Sequence, residues 1–394
     1  MKRRHFIEAA AAAVAFGGRA VPARPQTLPP PIGSPPQFLP QLTIAVNVTL
    51  SGELQKYGNE IVKGVTAAVD ETNRFNAPIG HVWGVRPLDD RNDAGLAASN
   101  ANVAAGDSTV IAVVGNLTAA MTLAALRRYA NMGFPLVVPT VTADAVTQRG
   151  FHNVYRLPAK DSTAGRLFAG SALEGKRGVP AIAVAFDGDY GYEVAQGFAA
   201  QAKRDGHPTD VLLFPLDSTA PAAAARTVLD RSPGYVFLAG KTTQLGPVAA
   251  ALRVAGYRGD FGASDGFYNT ETIEKFAGVL DGAYVASPLP PLNRVAGAVQ
   301  LVTDFQREVS QVTAFSAYAY AAAQLIILAS QRANASTRTT LLRTLQEGGN
   351  YTTIVGQFGF NISGDPLIPD IYLYVARKEG FKYDRPAVRT GFVL

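Results

Sequence analysis

The chain contains no cysteine, and this absence removes several classes of function at once. Without cysteine there is no disulfide scaffold, no thiolate metal site, no redox dithiol and no cysteine nucleophile. Histidine is also scarce: the four are His5, His81, His152 and His207, and no two stand at a spacing that would place them together on one helix or strand. The sequence therefore contains no local metal-binding motif.

One motif suggests a hydrolase, but the residues that would complete its active site are missing. The segment from Gly262 to Gly266 fits the G-x-S-x-G turn of hydrolase nucleophiles and follows a strand-like run. In that fold the triad histidine follows the serine, whereas all four histidines precede Ser264. The first strand–helix turn has no G-x-G-x-x-G, and no phosphate-loop lysine is present, so the usual cradle for a nucleotide is missing. We predict neither catalysis nor a cofactor.

Charge is low, at 17% of residues, and its distribution argues against nucleic acid as a partner. The formal net charge of +5 comes from 36 basic and 31 acidic residues. The first 23 residues hold four of the basic residues and one acidic residue, so the rest of the chain carries only +2. The remaining basic residues are dispersed and not interleaved with aromatic residues. We therefore predict no nucleic-acid partner.

The N-terminus is predicted to be an export signal. Arg3 and Arg4 precede an uncharged stretch over 9–16, and small residues follow as far as Ala23. This order is typical of an exported precursor, and the paired arginines are typical of the twin-arginine route. We expect cleavage near Ala23, with Ala20 as the alternative, and residence of the mature protein in the periplasm. Residues 24–41 are rich in proline and are predicted to form an extended linker.

From residue 42 onward, strand-like runs alternate with helix-like segments. The predicted strands cover 42–48, 82–87, 109–115, 135–140, 181–186, 210–216, 235–240 and 261–265. Apolar residues at helical spacing over 61–72, and helix-like segments at 94–106, 119–131, 191–206, 220–231 and 242–255, separate them. This alternation indicates an α/β fold with parallel sheets covered by helices. Ligands of such sheets bind beyond the carboxyl ends of the strands.

Two segments interrupt this rhythm and are predicted to connect separate parts of the fold. They lie at 154–160 and at 283–292, the second with three prolines. After the second interruption the chain is predicted to be helical over 293–309, 313–332 and 336–347. Two late strands are predicted at 355–361 and 371–377.

Five short segments, in chain order, resemble type I periplasmic solute-binding proteins of the Leu/Ile/Val-binding branch. They are Ile44–Gly52, Gly115–Thr122, Pro139–Ala143, Phe186–Gly191 and Gly262–Gly266. The resemblance covers about 42–378. It implies an exported receptor that binds a small amino-acid-like solute, closes over it and delivers it to an ABC permease in the inner membrane. No cofactor is implied.

The resemblance also implies the domain organisation. Two Rossmann-like lobes are expected, joined by a hinge of three crossings near residues 157, 288 and 358. The first lobe would comprise 42–157 plus 289–358. The second would comprise 158–288 plus 359–394.

The same resemblance implies the ligand-binding residues. Backbone N–H groups at the start of the helix after the third strand, with the Thr142 hydroxyl, would hold the carboxylate of an amino acid. Asp265 would pair with its ammonium group, and Tyr57 and Tyr190 would form walls of the side-chain pocket. The full predicted set is Tyr57, Leu117, Thr118, Ala119, Ala120, Thr140, Thr142, Tyr190, Lys241 and Asp265.

Two positions depart from the family pattern and leave alternatives open. Ala119 replaces the usual serine of the carboxylate loop, and Lys241 stands where the family often has a pocket tyrosine. Lys241 would either pair with Asp265 or add a positive group for an anionic ligand. Aromatic acids, amides and urea therefore remain alternative ligands. A ligand sensor of the same fold that regulates a partner, and an enzyme on a two-lobe scaffold, are the alternative functions.

Overall fold

The computed structural model describes residues 40–76, 81–188, 190–215, 220–295 and 312–387. The predicted export signal, the linker as far as residue 39, most of the predicted helix 293–309 and the last seven residues of the chain lie outside this part.

The first sheet contains five parallel strands in the order β2-β1-β3-β4-β5. The strands are β1 Gln41–Val48, β2 Val82–Asp89, β3 Val110–Gly115, β4 Leu136–Val138 and β5 Val154–Arg156. β1 and β3 are almost entirely buried, and both consist mainly of aliphatic residues. Continuous apolar runs of this kind belong to strands that are covered on both faces.

Helices cover both faces of this sheet. They are α1 Gln55–Asn76, α2 Ala94–Ala105, α3 Ala119–Asn131, α9 Ala314–Ala333 and α10 Arg338–Gln346. α1 and α9 share one core with the sheet, and α2 and α3 share another. α1 buries Ile61, Val65, Ala68 and Val69, as its spacing predicted. None of the helices in the described ranges combines the length and apolar character needed to span a membrane.

The second sheet has seven strands in the order β14-β13-β10-β9-β8-β6-β7. They are β6 Ala181–Phe186, β7 Thr209–Phe214, β8 Tyr235–Leu238, β9 Asp260–Ala263, β10 Tyr284–Ser287, β13 Tyr372–Arg377 and β14 Gly380–Pro386. The strands from β6 to β10 are parallel, whereas β13 and β14 pair antiparallel at one edge. The covering helices are α4 Asp161–Ala172, α5 Tyr192–Arg204, α6 Pro221–Leu229, α7 Thr242–Val254 and α8 Thr270–Leu280. The parallel α/β prediction is confirmed, with two antiparallel strands added.

Several elements of both lobes were not predicted. β5 and β10 lie within the two segments that were interpreted as interruptions, and α4 and α8 were left without an assignment. The predicted strand 355–361 is instead a hairpin of β11 Tyr351–Thr353 and β12 Gly356–Phe358. β14 was also not predicted. It alternates half-buried and exposed residues and carries several charges, so it lacks the apolar run of an interior strand.

The chain crosses between the two sheets three times: after β5, after β10 and after β12. The first and third crossings run side by side. Arg156, at the first, donates its backbone N–H to the carbonyl of Gly364, at the third, over 2.9 Å. Gly364 has φ +85°, and a Cβ at this position would lie 1.8 Å from the carbonyl oxygen of Val154. Only glycine allows this approach. The two sheets and their helices form the two lobes, while the exact boundaries near 157, 288 and 358 stay predictions.

Candidate ligand-binding cleft

The predicted site residues lie just beyond the carboxyl ends of parallel strands in both lobes. In the first lobe, Tyr57 follows β1, Leu117 to Ala120 follow β3, and Thr140 and Thr142 follow β4. In the second, Tyr190 follows β6, Lys241 follows β8 and Asp265 follows β9. Crevices at this edge are where sheets of this type bind ligands.

The N-terminus of α3 provides donors that suit an anion. Thr118 is the N-cap, and its hydroxyl accepts the N–H of Met121 at 3.4 Å. Ala119 and Ala120 are the first two helical residues, so no carbonyl within the helix accepts their N–H groups. Ala120 is exposed, whereas the neighbouring Leu117 is buried. The free N–H groups and the helix dipole together favour a carboxylate here.

The loop after β4 contains two threonines with different surroundings. The hydroxyl oxygen of Thr140 is buried and has no hydrogen-bond partner among the described residues. The Thr142 carbonyl accepts the N–H of Asp161 at 3.0 Å, and the Thr142 hydroxyl opposes the rise that burial causes in the pKa of the Asp161 carboxyl. Thr142 was predicted to hold a ligand carboxylate. Its position beside Asp161 places it next to an acidic group.

Tyr190 and Asp265 form a hydrogen-bonded pair in the second lobe. The Tyr190 hydroxyl donates to the Asp265 carboxylate, which also accepts backbone N–H groups, including that of Gly266. Burial raises the pKa of Asp265, and the hydroxyl and N–H donors oppose this shift. Burial also raises the pKa of Tyr190, and the negative charge of Asp265 adds to it. The carboxylate is thus held in a fixed orientation in a poorly solvated place.

Two glycines allow the loops of this lobe to pack together. Gly191 has φ +115°, and a Cβ there would lie 2.0 Å from the carbonyl oxygen of Ala239. A Cβ on Gly266 would lie 2.3 Å from the carbonyl oxygen of Gly240. Because these glycines lie so close to the backbone after β8, the loops that carry Tyr190, Lys241 and Asp265 lie next to one another.

Asp161 is a residue of this site that the sequence analysis missed. It is the first residue of α4 and is 6% exposed. Burial, followed by the negative charge of Asp265, raises the pKa of Asp161 to about 7, and Glu193 and Asp144 contribute in the same direction. An aspartate at the start of a helix is usually explained by the helix dipole, so its sequence position alone carried no functional signal.

Phe315 is the second residue that the sequence analysis missed. Its ring lies 4.9 Å, centroid to centroid, from the ring of Tyr57, which is 39% exposed. Phe315 is near the start of α9 and Tyr57 near the start of α1, so the pair belongs to the first lobe. The pair provides an apolar, aromatic surface in the first lobe, whereas the second lobe provides carboxyl groups.

Lys241 and Ser264 have surroundings that limit their possible roles. Lys241 is exposed at the N-cap position of α7, and no ion pair with Asp265 occurs within the described ranges. The Ser264 hydroxyl donates to the carbonyl of Gly240 at 3.1 Å and accepts the N–H of the same residue at 3.0 Å. The Ser264 hydroxyl therefore connects the loop after β9 to the loop after β8. The described residues contain no cluster of three potential metal ligands.

The lobes touch beside the hinge through Asp144. This residue follows β4, and its N–H donates to the Glu193 carboxylate of α5 at 3.0 Å. Its own carboxylate accepts the N–H of Ser162 in α4 at 3.0 Å. One residue of the first lobe thus contacts two helices of the second.

Comparison with known proteins agrees with this architecture. The family described as periplasmic binding protein matches residues 41–380. The Leu/Ile/Val-binding protein homolog 1 of Brucella melitensis is 24% identical over 337 residues, which is 84% of this chain and 89% of that protein. The isoleucine complex of LivJ, a branched-chain amino acid transporter substrate-binding protein of Streptococcus pneumoniae, aligns with TM-score 0.70 and 23% identity, covering 88% of this chain and all of that one. An ABC transporter solute-binding protein of R. palustris in complex with benzoate aligns with TM-score 0.70 and 16% identity, covering 88% and 96%. The family match spans most of the chain, which therefore belongs to the periplasmic binding protein family.

Proposed function

We propose that this protein is a periplasmic receptor that closes on an amino acid and delivers it to an ABC importer. The observation that carries the proposal is that the two sides of the cleft suit opposite charges: the first lobe suits an anion and the second suits a cation. The first lobe offers the N-terminus of α3 and the unpaired hydroxyl of Thr140, which suit a carboxylate. The second lobe offers Asp161 and Asp265, which suit an ammonium group. An α-amino acid carries both groups on one carbon atom.

Closure follows from this division. A zwitterion bound between the lobes would contact donors of one lobe and acceptors of the other, so its affinity is highest when the lobes are together. The closed form then gives a permease a shape that differs from the empty receptor. The relatives named above for leucine, isoleucine and valine support a ligand of this size. The Tyr57–Phe315 pair would line its side-chain pocket.

A second candidate is a receptor for an aromatic carboxylic acid. The benzoate complex of a structural neighbour and the replacement of a pocket tyrosine by Lys241 favour it. Such a ligand has no ammonium group for Asp161 and Asp265 to bind, and a negative charge on either residue would oppose its carboxylate. This difference separates the two candidates experimentally.

The deciding experiment is a thermal-shift panel of branched-chain amino acids, other amino acids, benzoate derivatives and simple amides. A ligand at a hundred times its Kd adds about 2.7 kcal/mol to the free energy of unfolding, which raises the Tm by several degrees. We expect an amino acid to give the largest shift. A shift from benzoate but from no amino acid would favour the second candidate, and no shift from any compound would contradict both.

Export is the remaining part of the proposal. The paired Arg3 and Arg4 support the twin-arginine route. Replacing both with lysine should leave the precursor in the cytoplasm, measured by cell fractionation and immunoblotting. Unchanged export would indicate the general secretory route instead.

A further inference from the structure

Asp161 lies among more negative groups than one ligand ammonium needs. Three other carboxyls raise the cost of ionising it: Asp265 beyond β9, Glu193 of α5 and Asp144 of the loop after β4. Tyr190 is close enough to Asp161 for the two groups to affect each other electrostatically. Hydrogen bonds hold two of these acids at the start of α4. The Asp144 carboxylate accepts the N–H of Ser162, the residue after Asp161, at 3.0 Å, and the Asp144 N–H donates to the Glu193 carboxylate at 3.0 Å.

The nearby cations do not neutralise Asp161. The Lys160 ammonium lies 3.7 Å from the Asp144 carboxylate and 3.8 Å from that of Asp365. The Arg156 guanidinium donates to the Asp365 carboxylate and to two carbonyls of the loop after β4, those of Thr142 and Ala143. Among the described residues no basic side chain forms an ion pair with Asp161 or Asp265, although Asp161 is only 6% exposed.

The buried Asp161 and the half-buried Asp265, which interact in this way, cannot both ionise at little cost when the cleft is empty. The usual outcome is that one of them keeps a proton near neutral pH. Asp161 is the one whose surroundings favour this, because three acids surround it and its pKa is raised to about 7. Asp265 has the better anion site, since it accepts a hydroxyl and backbone N–H groups.

We infer that Asp161 carries a proton in the empty cleft and loses it to solvent when a ligand ammonium binds beside Asp265. The inference rests on the proposed function, because it requires a cationic group on the ligand. The ammonium brings a positive charge next to Asp161, which has no ion pair among the described residues, and the carboxylate becomes the more stable form. Ligand binding and proton release are therefore one coupled event.

The coupling sets a definite pH dependence. Near pH 8, Asp161 is already ionised in the empty protein, so the Kd no longer depends on its proton. Below pH 7, each bound ligand must displace a proton, so the Kd rises as the pH falls. Between pH 8 and pH 6 we expect the Kd to increase about tenfold, with about 0.9 proton released per ligand at pH 6. A free amino acid keeps its ammonium over this range, so the ligand itself contributes no such change.

The experiment is isothermal titration calorimetry at pH 6, 7 and 8. Each titration is done in two buffers of different ionisation enthalpy, so that the number of released protons is measured directly. The first probe is L-isoleucine, replaced by the strongest amino acid of the panel where that differs. The parent protein is compared with Asp161→Asn and with Asp210→Asn, a matched change at an exposed ion pair. A ligand-free measurement is added: the carboxyl resonances of ¹³C-labelled aspartate are followed by NMR from pH 4 to pH 9.

The expected results are specific to Asp161. The parent and Asp210→Asn should show the tenfold change and the proton release, and Asp161→Asn should show neither. One carboxyl resonance should titrate near neutral pH in the empty parent and be missing in Asp161→Asn. A Kd that is equal at pH 6 and pH 8, or a cleft whose aspartates all titrate below pH 5, would overturn the inference and leave the proposed function intact. If no amino acid binds, the proposed function fails and this inference fails with it.

Discussion

The buried guanidinium of Arg156 donates from Nε to the carboxylate of Asp365 at 3.0 Å, and this bond joins the first crossing of the hinge to the third. Arg156 is fully buried. It also donates to the carbonyls of Thr142 and Ala143 at 2.6 and 2.7 Å. The same side chain therefore fixes the hinge and the loop that carries two predicted ligand contacts.

Removing this side chain should destabilise the protein strongly. Arg156→Met leaves the buried Asp365 carboxylate without its guanidinium, and breaking a buried pair in this way costs about 3–5 kcal/mol. Urea unfolding measures the loss. The control is Arg231→Ala, which breaks an ion pair to Asp210 whose two side chains are more than half exposed, and should cost under about 1 kcal/mol. Similar losses in the two variants would contradict a structural role for Arg156.

The ammonium site is tested by Asp265→Asn. The change keeps the size of the side chain and removes the charge, so amino acid affinity should fall by about 30-fold or more. Tyr190→Phe removes only the hydroxyl that orients the carboxylate and should cost about five- to tenfold. Calorimetry with an amino acid and with its deaminated acid gives the comparison. If the deaminated acid loses affinity equally, Asp265 does not contact the ammonium group.

Asp161 also predicts how the stability of the empty protein depends on pH. Its pKa is about 7 in the folded protein and 3.8 as an unperturbed group, so the folded state holds the extra proton between these values. The contribution of Asp161 to the free energy of unfolding therefore falls as the pH rises from 4 to 7, by on the order of 4 kcal/mol, and changes no further above pH 7. Asp161→Asn cannot ionise and should be more stable than the parent at pH 8 but similar at pH 4. Urea unfolding at both pH values measures this, and equal differences at pH 4 and pH 8 would contradict the ionisation of a buried Asp161.

The sequence was sufficient for the architecture because long buried strands have a simple pattern. β1, β3 and β6 are almost wholly buried and rich in aliphatic residues, so each is visible as an apolar run. β5 was missed for the opposite reason: it has three residues, and one of them is the buried Arg156. The charge of that arginine is satisfied by Asp365, which lies 209 positions later in the chain. No local sequence pattern predicts an ion pair between residues so far apart in the chain.

The site was only partly predictable for a related reason. Motifs located the loops that carry Thr118, Tyr190 and Asp265, because each follows a recognisable strand. Asp161 and Phe315 follow no such strand, and their importance depends on distant neighbours. Thr142 was found, but the hydrogen bond from the Asp161 N–H to its carbonyl was not, since that bond joins the two lobes beside the hinge.

The contact between Asp144 and Glu193 should help to hold the lobes together. Glu193→Ala removes the acceptor of the Asp144 N–H and should increase the population of the open form. Glu193→Gln keeps an oxygen that accepts this N–H, so it should restore the closed population. Spin labels placed on exposed sites of the two lobes report their separation by pulsed dipolar spectroscopy. If both variants give the parent distribution, the hydrogen bond does not contribute to closure.

Close packing of the second-lobe loops predicts a strong effect of a single methyl group. Gly191→Ala would place a Cβ 2.0 Å from the carbonyl oxygen of Ala239, a backbone atom that cannot move without shifting its loop. We expect it to cost about 1–2 kcal/mol for the left-handed conformation and a further 1–3 kcal/mol for the overlap. Gly188→Ala is the matched control, because its φ of +72° carries the first cost while a Cβ there meets no atom within 4 Å. Gly191→Ala should also weaken ligand binding, since Tyr190 is the adjacent residue, whereas Gly188→Ala should leave the affinity close to that of the parent. Urea unfolding and calorimetry measure the two effects, and equal behaviour of the variants would show that the approach of Gly191 to Ala239 is not what positions Tyr190.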